Sequence, residues 1–319
     1  SKRRSNMSTS VRVGTESTAT LGGRRETLIS RIARQTGRMG LLFPAVALMA
    51  VFLIGPIAYS VYGSLTNAAL SGYKAANPEF VGLENYVELL TSNGFWKAVL
   101  LTVIFVFASA VVGQNILGLA LAMLMRKAPK ILSTLVGGVV VIAWVMPEIV
   151  AAFALYAFFS TDGTLNVLLS YIGLGGTTWL LTFPMFSVIM ANIWRGTAFS
   201  MMVYSAALAE VPPEIQEAAK VDGARGSQRF FFVTLPMIKG SISTNLLLTT
   251  LQTLGVFTLL WVMTGGGPGT QSTTLPVMAY QEAFKNSLIG YGTAIATVTI
   301  VLGALFALVY IRALKPEVD

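Results

Sequence analysis

The sequence contains no cysteine and no histidine. The first absence rules out a disulfide, a thiolate nucleophile and a thiolate metal site. The second rules out a serine–histidine triad, an imidazole base and histidine-bound zinc. No segment fits G-x-x-x-x-G-K-[ST], so the chain lacks a phosphate cradle of that kind. Charge is scarce as well. Only 11% of residues are Asp, Glu, Lys or Arg, against about 25% in soluble domains. So little charge cannot cover a water-exposed surface.

Apolar side chains are what the chain has in plenty. They make up 54% of its 319 residues, and the mean hydropathy is +0.70. A helix needs about 20 apolar residues to cross the hydrocarbon. Six stretches qualify: 41–63, 98–125, 131–159, 179–208, 241–264 and 287–311. The third carries one ionisable residue, Glu148, and the fourth carries one, Arg195. The reading is an all-α polytopic membrane protein with six transmembrane helices.

The cations set the direction of threading. With the N-terminus inside, the inner side holds Lys2, Arg3, Arg4, Arg12, Arg24, Arg25, Arg31, Arg34 and Arg38 of the leading segment. It also holds Arg126, Lys127 and Lys130 of one loop, Lys220, Arg225, Arg229 and Lys239 of another, and Arg312 and Lys315 at the end. The outer side holds Lys74, Lys97 and Lys285. Eighteen cations against three predict both termini inside. The net charge of +8 then belongs to a membrane rim and not to a nucleic-acid surface. Residues 1–40 have little apolar periodicity and read as a disordered, basic cytoplasmic tail. Residues 41–315 read as the membrane domain, and 316–319 as a C-terminal tail. In the outer loop 64–97, Phe80, Leu83, Tyr86 and Val87 suggest a short interfacial helix with an apolar face.

The inner loop 210–240 is far longer than a usual helix connection. Pro212 and Pro213 suit a helix start, where no intrahelical N–H is needed. Glu214 and Glu217 complement the positive end of the helix dipole. Ile215, Ala218 and Ala219 form a narrow strip of small volume. Asp222-Gly223 ends the helix, since Gly accepts the left-handed conformation freely. A helix of two or three turns is not stable alone and must pack on something. Phe230, Phe231 and Phe232 are expected to anchor the loop to its own helix ends. Leu235-Pro236 marks entry into the fifth span.

These residues carry a resemblance. Glu217-Ala218-Ala219, three residues, Gly223, nine residues, Val233, one residue and Leu235-Pro236 are similar to the EAA signature of binding-protein-dependent ABC importer permeases. The family usually has Ile where Val233 stands. Asp222 beside Gly223 also fits. Two further segments resemble the carbohydrate-uptake branch: 80–86, reading FVGLENY, and 263–270, reading MTGGGPGT. The resemblance covers about 41–315. It implies a type I importer fold and a coupling helix seated in a separate ATPase. It implies a second homologous permease, two ATPase subunits and an extracytoplasmic solute-binding protein as partners, with lipid around them. The chain itself would need no cofactor, because ATP and magnesium would be bound by the ATPase, and its place would be a bacterial or archaeal cytoplasmic membrane. The resemblance also implies alternating access, with no covalent step on this chain.

Polar residues within the spans are candidates for a solute path. Glu148 lies near Trp144 and Pro147, and Arg195 follows Asn192 and Trp194. Hydroxyl-rich solutes suit such a mixture, hydrogen-bonding to polar groups and stacking on indole rings. Glu148 and Arg195 equally well pair with each other across spans three and four. Gln252 is a weaker path candidate. Gln114, Asn115 and Asn245 suit interhelical hydrogen bonds equally well. The small residues Gly113, Gly118, Ala120 and Ala122 suggest close helix packing. Gly265, Gly266, Gly267 and Pro268 predict a mobile outer loop that the resemblance places near the docked binding protein; ordinary turn composition explains them equally well. A glycerol-phosphate-type solute stays open beside a sugar. An ATP-independent carrier or a membrane-embedded enzyme are the rivals of different class, and a lone Glu148 without a visible inverted repeat speaks against the carrier.

Overall fold

A computed structural model of the chain describes residues 43–313. The basic tail 1–40 and the C-terminal 316–319 lie outside the described residues. The chain divides into two units, the first ending at Pro56 and the second beginning at Ile57. The described part of the first unit is helical, with a π-helical turn over Ala50–Ile54 that is apolar throughout. This helix is α1, Phe43–Ser64.

Among its described residues the second unit forms helices and one isolated antiparallel bridge between Thr66 and Phe80. After α1 come α2 (Tyr73–Ala76), α3 (Glu84–Thr91) and the long α4 (Asn93–Lys127), which winds as a π-helix over Val106–Gln114. Next are α5 (Lys130–Val145), α6 (Glu148–Phe159), α7 (Thr164–Tyr171), α8 (Trp179–Thr182) and α9 (Pro184–Ala209). The chain continues with α10 (Pro213–Val221), α11 (Gly226–Met237), α12 (Lys239–Leu254), α13 (Thr258–Met263), α14 (Leu275–Tyr280) and α15 (Ile289–Ala313).

Among the described residues, four helices are long and apolar enough to cross a membrane: Phe43–Ser64, Asn93–Lys127, Glu148–Tyr171 and Ile289–Arg312. The pair α11 and α12, bent by 70°, makes a fifth when taken as one span. Six uninterrupted spans are therefore not what the backbone forms. The expected span 131–159 breaks at Met146–Pro147, where both residues leave the helical region. Proline has no N–H to continue the ladder. The expected span 179–208 breaks at Phe183, ahead of Pro184. The expected span 241–264 breaks over residues 255–257, between α12 and α13. Helix α9 has 26 residues but is not among the apolar spans, because its buried positions include Ser187, Asn192, Thr197, Ser200 and Tyr204.

Those polar positions explain how the bundle holds. In lipid, apolar burial does not drive helices together; close packing and interhelical hydrogen bonds do. Gly118 on α4 lies so close to α9 that a Cβ there would sit 2.5 Å from the Ser200 Cβ and 2.9 Å from the Met201 nitrogen. Asn245 on α12 donates to Asn115 Oδ1 on α4 (2.8 Å) and to Ser200 Oγ on α9 (2.9 Å). Tyr204 donates its hydroxyl to the same Asn115 oxygen. Gln114 Nε2 donates to the Asn192 carbonyl at 3.0 Å. One amide-rich seam thus ties α4, α9 and α12. Around it an apolar cluster joins Phe105, Ala152, Val188, Leu260 and Val277 from five helices.

The loop between α1 and α3 is pinned and not loose. Asn85 donates to the carbonyls of Ser64 and Thr66 at 2.8 and 2.9 Å, and Tyr86 shares a 2.6 Å bond with Ser64. The short helix expected here exists, but its inward side is Asn85 and Leu89. Phe80, Leu83 and Val87 are exposed.

Candidate functional site

Residues 210–240 form a distinct structure at the ends of α4 and α9. Helix α10 starts after Pro212, with Pro213 first. Its end is closed by a paired cap: the Ala224 N–H donates to the Ala219 carbonyl at 3.0 Å, and the Gly223 N–H to the Lys220 carbonyl at 3.2 Å. This geometry needs a left-handed residue at the turn. Gly223 supplies it with φ +80°. The Asp222 N–H closes the last turn on the Ala218 carbonyl at 3.0 Å. One hydrogen bond ties the helix to the loop behind it, from Gln216 Nε2 to Thr234 Oγ1 at 2.8 Å. Glu217, Ala218 and Ile215 are exposed and Ala219 is half-buried, so most of the small-residue strip is uncovered by the described residues.

Helix α11 passes through a π-helical turn, Phe230–Thr234, before Leu235 and Pro236. Val233 and Leu235 are half-buried and Pro236 is exposed. The bend into α12 comes at Ile238, buried at 3% exposure. Phe230, Phe231 and Phe232 do not anchor the loop together: Phe230 is half-buried. Phe231 and Phe232 are 59% and 79% exposed. Successive helical residues are turned by about 100° from one another, so three in a row cannot face one neighbour.

The in-span candidates separate. Asn192 is buried at 3% exposure and belongs to the interhelical seam, donating to Ser109 Oγ at 2.8 Å and Thr253 Oγ1 at 3.3 Å. Trp144 lies 6.0 Å from the Phe199 ring, while Trp194 and Gln252 are exposed. Glu148 begins α6 just beyond the break at Pro147. Its Oε1 and the Nε of Arg195 are both buried without a partner. No ion pair joins Glu148 to Arg195, so the pairing that the sequence left open is not made.

The glycine-rich segment is tied to its neighbours by side-chain hydrogen bonds. Gly265, Gly266 and Gly269 have φ of +60°, +89° and +60°. The Gly265 carbonyl accepts from Gln281 Nε2 at 3.0 Å and the Gly266 carbonyl from Thr273 Oγ1 at 2.9 Å. Ser272 Oγ reaches the Gly267 carbonyl at 2.9 Å. A cleft of about 510 Å³ runs along it, lined among others by Tyr156, Asp162, Thr178, Thr264, Gly267 and Pro268.

Two features escaped the sequence reading. Phe257, Trp261, Tyr280 and Phe284 form an aromatic cluster with ring centroids 4.7–5.7 Å apart, and Lys285 Nζ sits 4.4 Å from the Trp261 ring. The spacing of four residues from Phe257 to Trp261, and again from Tyr280 to Phe284, was a readable signal. Asn166 holds the α7–α8 connection, donating to the Thr161 and Thr177 carbonyls, both at 2.8 Å, and accepting from Trp179 Nε1 at 2.8 Å. An isolated Asn gave no such signal.

Comparison with known proteins places this geometry. Residues 114–319 match the family described as binding-protein-dependent transport system inner membrane component. The trehalose/maltose transport system permease protein MalF of Thermococcus litoralis is 31% identical, across 89% of this chain and 96% of that protein. The sulfoquinovosyl glycerol transport system permease protein SmoG of Agrobacterium fabrum is 33% identical, across 87% and 90%. A chain of a bacterial alginate ABC transporter, solved in complex with an alginate pentasaccharide-bound periplasmic protein, superposes with a TM-score of 0.75 at 24% identity. That match covers 91% of this chain and 98% of that one. The fold is that of a type I ABC permease. The chain belongs to the binding-protein-dependent transport system inner membrane components, as a multi-pass permease of the cytoplasmic membrane.

Proposed function

We propose that this chain is one permease of an ATP-driven importer that moves a carbohydrate from an external solute-binding protein to the cytoplasm by alternating access. The observation that carries the reading is α10. It is a nine-residue helix, capped at Gly223, with Ile215, Glu217 and Ala218 exposed and Gln216 bonded to Thr234 in the loop behind it. A helix of that length needs an outside surface to hold it. A separate ATPase supplies that surface and the hydrolysis, and its closing motion reaches the bundle through α10, the Gln216–Thr234 bond and the bend at Ile238. A second permease, two ATPases and a solute-binding protein complete the assembly.

In the membrane the chain crosses six times with both termini inside. The broken elements α5–α6, α8–α9 and α12–α13 make crossings three to five. Broken backbone is tolerated at membrane depth where protein or a water-filled cavity lies beside it. The breaks at Pro147 and at 255–257 then line the path, with Glu148, Arg195 and Gln252 beside it. Carbohydrate is supported by the relatives, which transport trehalose and maltose or sulfoquinovosyl glycerol, and by the pairing of exposed indoles with polar groups.

Reconstitution into proteoliposomes tests the reading. The chain with its companion permease, ATPases and binding protein should accumulate sugar only with ATP inside the vesicle. Uptake by the isolated chain without an ATPase would overturn it.

A further inference from the structure

A second cleft, of about 410 Å³, lies behind α10, where the ends of α4 and α9 meet the α10–α11 turn. Among the described residues its charged lining is Arg126, Lys127 and Arg229, accompanied by the neutral Gln216 and Thr234, with no carboxylate. Arg126 spends one nitrogen on the Leu208 carbonyl at 3.1 Å, capping the last turn of α9. The Nε of Arg229 is buried and has no partner. No ion pair among the described residues neutralises the guanidinium charge, which lines the cleft beside Arg126 and Lys127, and an anion entering the cleft meets three cations with no carboxylate to compete among the described lining residues.

The surroundings indicate where the anion comes from. Phe231 and Phe232, on the same helix as Arg229, are exposed at 59% and 79%, and Leu124, beside Arg126, at 64%. Exposed aromatic and aliphatic side chains flanking a cationic cleft are the pattern of a membrane interface, where rings enter the acyl boundary and cations meet headgroups. Basic pockets between spans on the cytoplasmic side suit anionic headgroups.

We propose that the Arg126–Lys127–Arg229 cleft holds the phosphate group of an acidic phospholipid of the inner leaflet. This rests on the inner placement of loop 210–240 given above. Arg229 and Lys127 engage the phosphate as charge-assisted donors. The acyl chains run past Leu124, with Phe231 and Phe232 at the boundary. An occupied cleft braces the end of α4 against the Gln216–Thr234 contact, so acidic lipid stiffens the root of the coupling helix and raises the efficiency of transmission.

The test uses the assembled transporter in nanodiscs of phosphatidylcholine, titrated with phosphatidylglycerol and read by native mass spectrometry and by solute-stimulated ATP hydrolysis. Wild type should retain phosphatidylglycerol. Arg229→Gln and Lys127→Gln should each weaken retention about fivefold, the effect of one cation near a headgroup, and Arg229→Lys should restore most of it. Lys130→Gln, an exposed cation outside the cleft, should leave retention unchanged. Wild-type retention in Arg229→Gln would overturn the proposal, as would an equal loss in Lys130→Gln, which would mean a diffuse basic rim. Displacement of the lipid by inorganic phosphate would overturn it in favour of a soluble anion. Loss of the ATPase from Arg229→Gln with lipid retention intact would give the cleft to the ATPase seat. A chain that retains phosphatidylglycerol through Arg229 but never co-purifies an ATPase would sink the functional reading and leave this site standing.

Discussion

Replacing Gly223 separates backbone conformation from side-chain bulk. Its φ is +80°, and a Cβ built there meets nothing within 4 Å. The penalty for a side chain is therefore conformational and not steric within this chain. An L-residue in the left-handed region costs about 1–2 kcal/mol, which shifts the loop away from its capped form by about 5- to 30-fold. Gly223→Ala should lose coupling by that factor and Gly223→Val by more, since a β-branched residue fits the region worse. Gly223→Asn is larger than Ala yet tolerates this conformation, and should remain near wild type. The assays are ATPase co-purification and solute-stimulated hydrolysis. Thermal unfolding of the membrane bundle should not move in any variant, because α10 is exposed. Wild-type coupling in Gly223→Val, or equal damage from Gly223→Asn and Gly223→Val, would refute the reasoning.

Further perturbations probe the bundle and the path. Asn245→Ala removes two interhelical hydrogen bonds and should lower stability by about 1 kcal/mol, at roughly 0.6 kcal/mol each, measured by unfolding in mixed micelles. Gly118→Ala should cost about 1–3 kcal/mol by overpacking against Ser200 and Met201. Gly138→Ala, whose Cβ would meet nothing, should gain up to about 1 kcal/mol from helix propensity. Gly266→Ala places a Cβ 2.7 Å from Thr273 Oγ1 at φ +89° and should loosen the pinned segment, read as new proteolysis between 265 and 272. Arg195→Ala should reduce uptake more than ATPase binding; equal loss of both would make Arg195 structural.

Much of this architecture was legible because hydropathy and charge report on the solvent around a helix. The spans at 98–125 and 287–311, the end of α10 at Gly223 and its start at Pro213 all follow from residue chemistry. The breaks were less visible. Pro147 and Pro184 were present as signals, but an apolar run on both sides concealed them. Helix α9 shows why hydropathy alone miscounts: Asn192, Ser200 and Tyr204 lower its apolarity because they face neighbouring helices. Glycine composition at 265–269 does not reveal that Gly265, Gly266 and Gly269 supply positive φ to a backbone bonded by Ser272, Thr273 and Gln281. Glu148 and Arg195 were recognised as unusual, but sequence spacing does not reveal whether two side chains on different helices reach each other.

The absence of cysteine makes the central claim directly measurable, since one introduced thiol is the only one. Ala218→Cys on the exposed face of α10, labelled with a thiol-directed photoreactive crosslinker whose second group inserts into nearby C–H bonds on illumination, should attach to the ATPase subunit in membranes carrying the assembled transporter, and Thr270→Cys labelled in the same way on the glycine-rich segment should not. A crosslink that forms at 218 and changes its yield with ATP is the predicted result. A thiol at 218 that stays free to soluble reagents in the full assembly, with no ATPase attached, would contradict the account.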